Sequence, residues 1–292
     1  MKIDLPYFDV LLDRLDHGHP ELSTGFGRYV HWGYWGENDR ADDSMTGFAQ
    51  AAERMSQRVC AAARVQGGQR ILDVGCGWGG TIASLNDELS QVSLTGLNID
   101  GRQLERARRR VRAKKGNSVT FVEGDACAMP LDDASFDVVI ALECAFHFPD
   151  RRRFLAESRR VLRPGGRLVV ADFVPAPVVV PFLPGQKLLF GPYMKHVLGP
   201  ADVTYSVERY RDAASAHGLA LSHEEDITRN TLPTYPILRQ VAAEMGSYGG
   251  TARFGVTALE WVSKLRLLRY VILGFDAEQS AEEGELALMA GE

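Results

Sequence analysis

The chain contains little cysteine. Its four cysteines, Cys60, Cys76, Cys127 and Cys144, form no C-x-x-C pair among the 292 residues. This spacing favours neither a disulfide framework nor a zinc site. We therefore expect no metal ion and a reducing, cytoplasmic location.

Long apolar runs and an excess of basic residues are also missing. No apolar run reaches the ~18 residues that a membrane-spanning helix needs, and acids interrupt the apolar residues of segment 1–16, unlike a signal peptide. The formal net charge of −5 argues against a nucleic-acid partner. With 45% hydrophobic and 24% charged residues, the composition is that of an ordinary globular protein.

Buried-strand patterns alternate with amphipathic helices from residue 70 onward. The predicted strands are 70–75, 92–99, 119–125, 136–144, 165–174, 219–227 and 268–275, and the predicted helices are 44–65, 79–88, 101–115, 151–163, 206–217 and 236–266. This alternation predicts an α/β fold: a doubly wound, mostly parallel sheet of seven strands with helices on both faces.

The same pass along the sequence divides the chain into three parts. Residues 1–66 are expected to form an N-terminal helical cap and residues 67–276 the α/β domain, followed by an acidic tail over 277–292. Within the domain, segments 175–204 and 231–266 interrupt the alternation. We interpret them as insertions that form a lid or an acceptor pocket, the first directly after strand five.

One stretch, "RILDVGCGWGG" (70–80), places an acid just before a glycine-rich turn. Glycines between a strand and a helix let a ligand approach the backbone N–H groups. The turn lacks the Gly-Lys-Ser or Gly-Lys-Thr of a phosphate-binding loop. Asp73 beside Gly75 and Gly77 instead suits a ligand that carries both an ammonium group and a carboxylate, as an amino acid does.

Together with "GLNID" (96–100), "EGDACAMP" (123–130) and the stretch 131–173 with its Leu-Arg-Pro-Gly-Gly turn, this loop resembles the class I, Rossmann-like S-adenosylmethionine-dependent methyltransferases. The resemblance covers about residues 70–173. It implies S-adenosylmethionine as cofactor, S-adenosylhomocysteine as product, and no metal.

The resemblance also implies a role for particular residues in cofactor binding. Asp73, Gly75 and Gly77 correspond to the methionine side and Asp125, Ala126 and Leu142 to the adenine side. The family commonly has an acid at the position of Asn98, where it binds the ribose. Here the ribose candidates are Asn98 and Gln103, with Asp100 as the less favoured alternative.

Two residues lie where a general base for the acceptor is expected. His147 follows the fourth strand and Asp172 ends the fifth, and the carboxyl ends of parallel strands open onto the ligand crevice. A histidine and an aspartate at these positions are proposed to deprotonate the acceptor in similar sugar O-methyltransferases. The alternative is a histidine that packs or orients the acceptor.

Aromatic and apolar residues suggest a lipophilic acceptor. The segment "YVHWGYW" (29–35) resembles one that closes the site in related enzymes, with Tyr34 and Trp35 as the preferred contacts. In the insertion, Phe182, Phe190 and Tyr193 are the candidates for the acceptor pocket. The alternative for this apolar insertion is burial against a second copy of the chain.

These observations predict an enzyme that methylates oxygen on a small lipophilic molecule, either a natural-product hydroxyl or a fatty-acid-like carboxylate. A hydroxyl needs a base and a carboxylate does not. Two other functions stay open. One is C-methylation or lipid cyclopropanation, because "DVGCGWGG" is also typical of cyclopropane synthases, and the other is a non-catalytic cofactor-binding protein.

Overall fold

The computed structural model of this chain describes residues 6–36, 42–183, 201–243 and 249–279. A single seven-stranded sheet organises them, in the order β3-β2-β1-β4-β5-β7-β6. Its strands are β1 (Arg70–Val74), β2 (Ser93–Asn98), β3 (Ser118–Glu123), β4 (Phe136–Leu142), β5 (Leu162–Pro175), β6 (Leu219–Asp226) and β7 (Leu268–Ala277). The doubly wound, mostly parallel sheet that the sequence predicts is confirmed.

Helices pack against this sheet and precede it. They are α1 (Pro6–Asp16), α2 (Pro20–Phe26), α3 (Met45–Ala62), α4 (Gly80–Glu88), α5 (Gly101–Arg110), α6 (Arg151–Val161), α7 (Val207–Ser215), α8 (Thr228–Thr231), α9 (Thr234–Ala243) and α10 (Gly249–Lys264). None of these described helices is both long and apolar enough to cross a membrane.

The sheet is buried on both faces because side chains alternate along each strand. Ile71 of β1 packs with α3, α4 and α5 on one face, while its neighbour Leu72 packs with α6 and α7 on the other. Every residue of β4 is buried. Near-continuous apolar runs such as "FDVVIAL" are therefore strands that are covered on both faces of the sheet, as is usual in parallel sheets.

The direction of the strands indicates at which edge of the sheet a ligand would bind. β1 pairs in parallel with both β2 and β4, so Asp73 lies level with Gly96 and Ile140. Only β7 among the described strands runs antiparallel, between β5 and β6. The strand order reverses at β1 and β4, and ligands of open α/β sheets bind at such a switch point, beyond the carboxyl ends of the strands.

The observed boundaries differ from the predicted ones in two informative places. Helix α5 ends at Arg110, not at 115, because Val111 turns to extended backbone and buries its side chain. Strand β5 begins at Leu162, not at 165, because Leu162 already pairs with Phe136 before the Gly165 turn.

The two insertions are described only in part. The first starts after β5 with a 3-10 turn, Pro177–Phe182, and 184–200 lie outside the described residues. The second contains α9 and α10 on either side of 244–248, which also lie outside them.

Phe154 of α6 is fully buried and packs on the ring of Phe148. We expect Phe154→Ala to lower the free energy of unfolding by about 3–5 kcal/mol, because it leaves a cavity in the core. Phe182→Ala is the matched control, since that ring is 72% exposed, and should change stability by less than about 0.5 kcal/mol. Urea unfolding of both variants measures the difference, and equal losses would contradict the assignment of the core.

Candidate functional site

A cavity of about 540 Å³ opens at the carboxyl ends of β1, β2 and β4. This volume lies in the range of roughly 300–1,000 Å³ that small-molecule sites occupy. Five parts of the chain line it: the glycine loop 73–81, the β2 end 97–99, the loop 124–126, the β4 end with its following turn 142–149, and the N-terminal segment 28–31, joined by Gln103, Ala201 and Asp202.

The glycine loop needs its glycines for the protein's own packing. Gly75 and Gly77 have φ of +70° and +54°, which L side chains rarely adopt. A Cβ atom on Gly75 would lie 2.5 Å from Cβ of Cys144, at the end of β4. A Cβ atom on Gly80 would collide with the carbonyl oxygen of Arg28. The loop is thus held close to both the strand end and the N-terminal segment.

Asp73 is a buried carboxyl group at the end of β1. It is 2% exposed, and its Oδ2 has no hydrogen-bond partner among the described residues. Burial raises the pKa of Asp73 to about 8. A cationic group of a ligand in the cavity would therefore find an uncompensated acceptor here.

Asn98 and Gln103 meet at the end of β2. The Asn98 amide Nδ2 donates to Oε1 of Gln103 over 3.1 Å and to the Gly77 carbonyl over 3.4 Å. Both residues line the cavity. Asp100 caps α5 and accepts hydrogen bonds from the Arg102 backbone and guanidinium, and it is not among the lining residues.

Asp125, Ala126 and Leu142 line the cavity from two neighbouring connections. Oδ1 of Asp125 accepts a hydrogen bond from the Cys127 N–H over 2.8 Å, which orients the carboxylate within its turn. All eight predicted cofactor residues are therefore brought to one cavity: Asp73, Gly75, Gly77, Asn98, Gln103, Asp125, Ala126 and Leu142.

The two predicted catalytic residues lie in different environments. His147 ends a 3-10 turn, Ala145–His147, lines the cavity and packs against the Phe146 ring. Asp172 is fully buried and does not line the cavity. Its carboxylate accepts from the Tyr210 hydroxyl over 2.5 Å and lies 3.4 Å from the Arg151 guanidinium.

Three of the five predicted acceptor contacts, Tyr34, Trp35 and Phe182, lie outside the described cavity lining. Tyr34 and Trp35 pack against other parts of the core, and Phe182 is exposed at the surface. Phe190 and Tyr193 lie outside the described residues.

Three further residues line the cavity although the sequence motifs did not predict them as contacts: Tyr29, His31 and Glu143. His31 is buried, which lowers its pKa to about 4 and keeps the imidazole neutral. Glu143 follows β4 with φ of +53°. Its Oε1 accepts from the Trp32 N–H over 2.9 Å and the Tyr270 hydroxyl over 2.6 Å. The signal in the sequence that could have identified Glu143 is an acidic residue directly after an apolar strand, which is similar to the position of Asp73 near the end of β1.

Over residues 6–36, 42–183, 201–243 and 249–279, no group of three or more His, Cys, Asp or Glu side chains is arranged to hold a metal ion.

Comparison with known proteins agrees with this geometry. Residues 72–170 match the family described as "Methyltransferase domain". The chain is 34% identical over 218 residues to the 27-O-demethylrifamycin SV methyltransferase of Amycolatopsis mediterranei, covering 73% of this chain and 75% of that one. It is 30% identical to an O-methyltransferase of Pyrenophora dematioidea, covering 87% and 91%.

Among solved structures, the chain is similar to the geranyl diphosphate C-methyltransferase of Streptomyces coelicolor A3(2), solved with Mg²⁺, geranyl diphosphate and S-adenosyl-L-homocysteine. The TM-score is 0.70 at 18% identity, with 94% of this chain and 100% of that chain covered. At this identity the likeness concerns the fold alone.

The raised pKa of Asp73 has a consequence for stability. Between pH 4 and 8 the carboxyl is ionised in the unfolded chain and neutral in the folded one, so unfolding releases a proton. Stability without ligand should therefore fall as the pH rises through this window, with a slope of up to about 1.4 kcal/mol per pH unit from this group. Urea unfolding should show a shallower slope for Asp73→Asn, and parallel slopes would contradict the assignment.

Gly75 and Gly165 allow the crowding of the loop to be tested separately from its backbone angle. Both have φ of +70°, but a Cβ atom on Gly165 meets nothing within 4 Å. Gly165→Ala should cost about 1–2 kcal/mol for the left-handed conformation alone. Gly75→Ala should cost about 1–3 kcal/mol more, because it also crowds Cys144. Thermal unfolding compares the two, and similar losses would refute the close contact.

Proposed function

The chain belongs to the S-adenosylmethionine-dependent methyltransferases, and from this premise we propose that it methylates an oxygen atom of a small lipophilic molecule, releasing S-adenosylhomocysteine. The observation that carries the proposal is the single cavity that joins the glycine loop and its buried acid to His147. Both relatives named above are called methyltransferases, and the second an O-methyltransferase.

The residues of the cavity fit this cofactor. The uncompensated Oδ2 of Asp73 suits the ammonium of its amino-acid end. Asn98 and Gln103 would hold the ribose, and Asp125, Ala126 and Leu142 the adenine side. When bound, S-adenosylmethionine supplies a methyl group already activated on a sulfonium centre, so the protein mainly has to position the acceptor.

Charge in the cavity favours a hydroxyl acceptor over a carboxylate. Four carboxyl groups occur in the described lining: Asp73, Asp125, Glu143 and Asp202. The guanidinium in that lining, from Arg28, already pairs with Glu53 and Asp87 at 3.5 and 3.4 Å. A carboxylate acceptor would therefore find no free cation to neutralise it in this part of the wall, whereas a neutral hydroxyl needs no counter-charge.

Apolar rings favour a lipophilic acceptor. Phe146 and Phe148 line the cavity beside His147, and Pro149 follows them. Burying such a ligand against these rings would gain about 25 cal/mol per Å² of apolar area. The exposed Phe182 and Val178 lie outside this lining and are the candidates for covering by a second copy of the chain.

His147 is the residue we propose as the general base. A hydroxyl must lose its proton near the transition state, and a positioned imidazole contributes about 10²–10⁴ to the rate. The buried Asp172 is bound by Tyr210 and Arg151, so we do not propose direct contact between it and the acceptor. C-methylation, cyclopropanation and a non-catalytic role are not favoured by any specific contact in the described cavity.

The test is transfer of a labelled methyl group from S-adenosylmethionine to matched hydroxylated and carboxylated lipophilic compounds. We expect transfer to hydroxyl compounds, and a loss of about 10²–10⁴ in kcat for His147→Ala with unchanged cofactor affinity by calorimetry. His17→Ala, on the exposed end of α1, is the matched control.

Three outcomes would overturn parts of the proposal. Transfer confined to carboxylates would refute the acceptor class. Full activity of His147→Ala would refute the base. Tight cofactor binding without transfer to any acceptor would favour the non-catalytic alternative.

A further inference from the structure

The N-terminal segment Arg28–Trp32 lies directly over the glycine loop. A Cβ atom on Gly80 would collide with the Arg28 carbonyl, and one on Gly77 would lie 3.1 Å from Cγ2 of Val30. Tyr29 and His31 line the same cavity. The position of this segment therefore defines one wall of the cofactor site.

Immediately after it, the chain is held by residues that do not line the cavity. The Gly33 N–H donates to Oγ1 of Thr234 over 3.2 Å, and the Tyr34 N–H donates to the Ala51 carbonyl over 2.8 Å. The Trp35 N–H donates to the Asn230 carbonyl over 2.9 Å. These bonds anchor residues 33–35 to the body of the domain but do not reach the cavity wall.

Glu143 supplies the bond on the cavity side. Its Oε1 accepts both the Trp32 N–H and the Tyr270 hydroxyl, so one oxygen joins the N-terminal segment, the end of β4 and strand β7. The Trp32 ring packs at 4.9 Å on Phe173 and at 4.7 Å on Tyr235, measured between centroids. The backbone bond to Glu143 and the packing of the ring act on the same residue.

The backbone of Glu143 is itself unusual. A φ of +53° suits glycine or asparagine and costs a glutamate about 1–2 kcal/mol. Backbone strain of this kind is retained where the surrounding structure requires that side chain in that place. Here the strained residue lines the cavity and also accepts a hydrogen bond from the segment that forms another part of its wall.

We propose that Glu143 is a positioning residue, which holds Arg28–Trp32 over the cofactor cavity by accepting the hydrogen bonds of Trp32 and Tyr270. The inference rests on the proposed cofactor site, but the position of the segment can be measured without any ligand.

The role requires a hydrogen-bond acceptor and not a charge. Burial raises the pKa of Glu143 to about 8, so the carboxyl is mostly neutral at pH 7. A glutamine amide has a carbonyl oxygen in the same place and can accept the same two bonds. Glu143→Gln is therefore the conservative variant, and Glu143→Gly removes the acceptor while suiting the backbone angle.

The test combines amide hydrogen exchange over residues 28–32, without ligand at pH 7, with calorimetry of S-adenosylmethionine. Loss of two net hydrogen bonds should accelerate exchange and weaken cofactor affinity by about 5- to 100-fold in Glu143→Gly. Glu143→Gln should stay within about threefold of the native protein in both. Tyr270→Phe, which keeps the ring and loses one bond, should be intermediate and serves if the glycine variant does not fold.

Thr234→Val is the matched control, because it removes one hydrogen bond from Gly33, the next residue along the chain, and neither Thr234 nor Gly33 lines the cavity. It should accelerate exchange at Gly33 and leave cofactor affinity nearly unchanged.

Unchanged exchange and affinity in both Glu143→Gly and Tyr270→Phe would overturn the proposal. So would a glutamine variant as impaired as the glycine one, or a control that weakens binding equally. Absence of cofactor binding to the native protein would instead refute the proposed function.

Discussion

Close approach of three segments of the chain, at glycines that carry no side chain, is the constraint on which this site depends. The glycine loop after β1 passes so near Cys144 and Arg28 that a Cβ atom at Gly75 or Gly80 has no room. Because the loop is pressed against β4 on one side and the N-terminal segment on the other, these two segments also become walls of the cavity. Tight packing around the glycines of this loop thus creates both the surface of the cavity and the segment that lies over it.

Two buried carboxyl groups are the second feature of the site. Asp73 and Glu143 are both desolvated strongly enough for burial to raise their pKa to about 8. They differ in their partners: Oδ2 of Asp73 has no donor among the described residues, whereas Glu143 has two. The first arrangement suits a site that awaits a cation, and the second suits a fixed connection within the protein.

A buried polar cluster supports the wall that carries His147. Asp172, Tyr210 and Arg151 contact one another, and the Arg151 guanidinium also donates to the carbonyl of Asp202. The Asp202 N–H donates to the Phe146 carbonyl over 2.7 Å, next to His147. Asp172, an acid within β5 and not at its end, can therefore serve the site through the structure beneath it, without lining the cavity.

The sequence by itself determined the mostly parallel sheet and its order of elements, because strand periodicity is a local signal. The resemblance of its motifs to the methyltransferases predicted the eight residues expected around the cofactor, and all eight line one cavity. The sequence did not distinguish Asp172 from Glu143, since both are acids in or directly after apolar strands. Only the tertiary structure decided which of them faces the cavity, because the left-handed backbone at Glu143 and the Tyr210 hydroxyl near Asp172 come from pairings distant in the chain. The same holds for Tyr29 and His31, which line the cavity while Tyr34 and Trp35 do not. All four side chains are aromatic, so their residue types do not separate them. Which of them line the cavity depends on contacts with Gly80, Ala51 and Asn230 that local sequence does not encode.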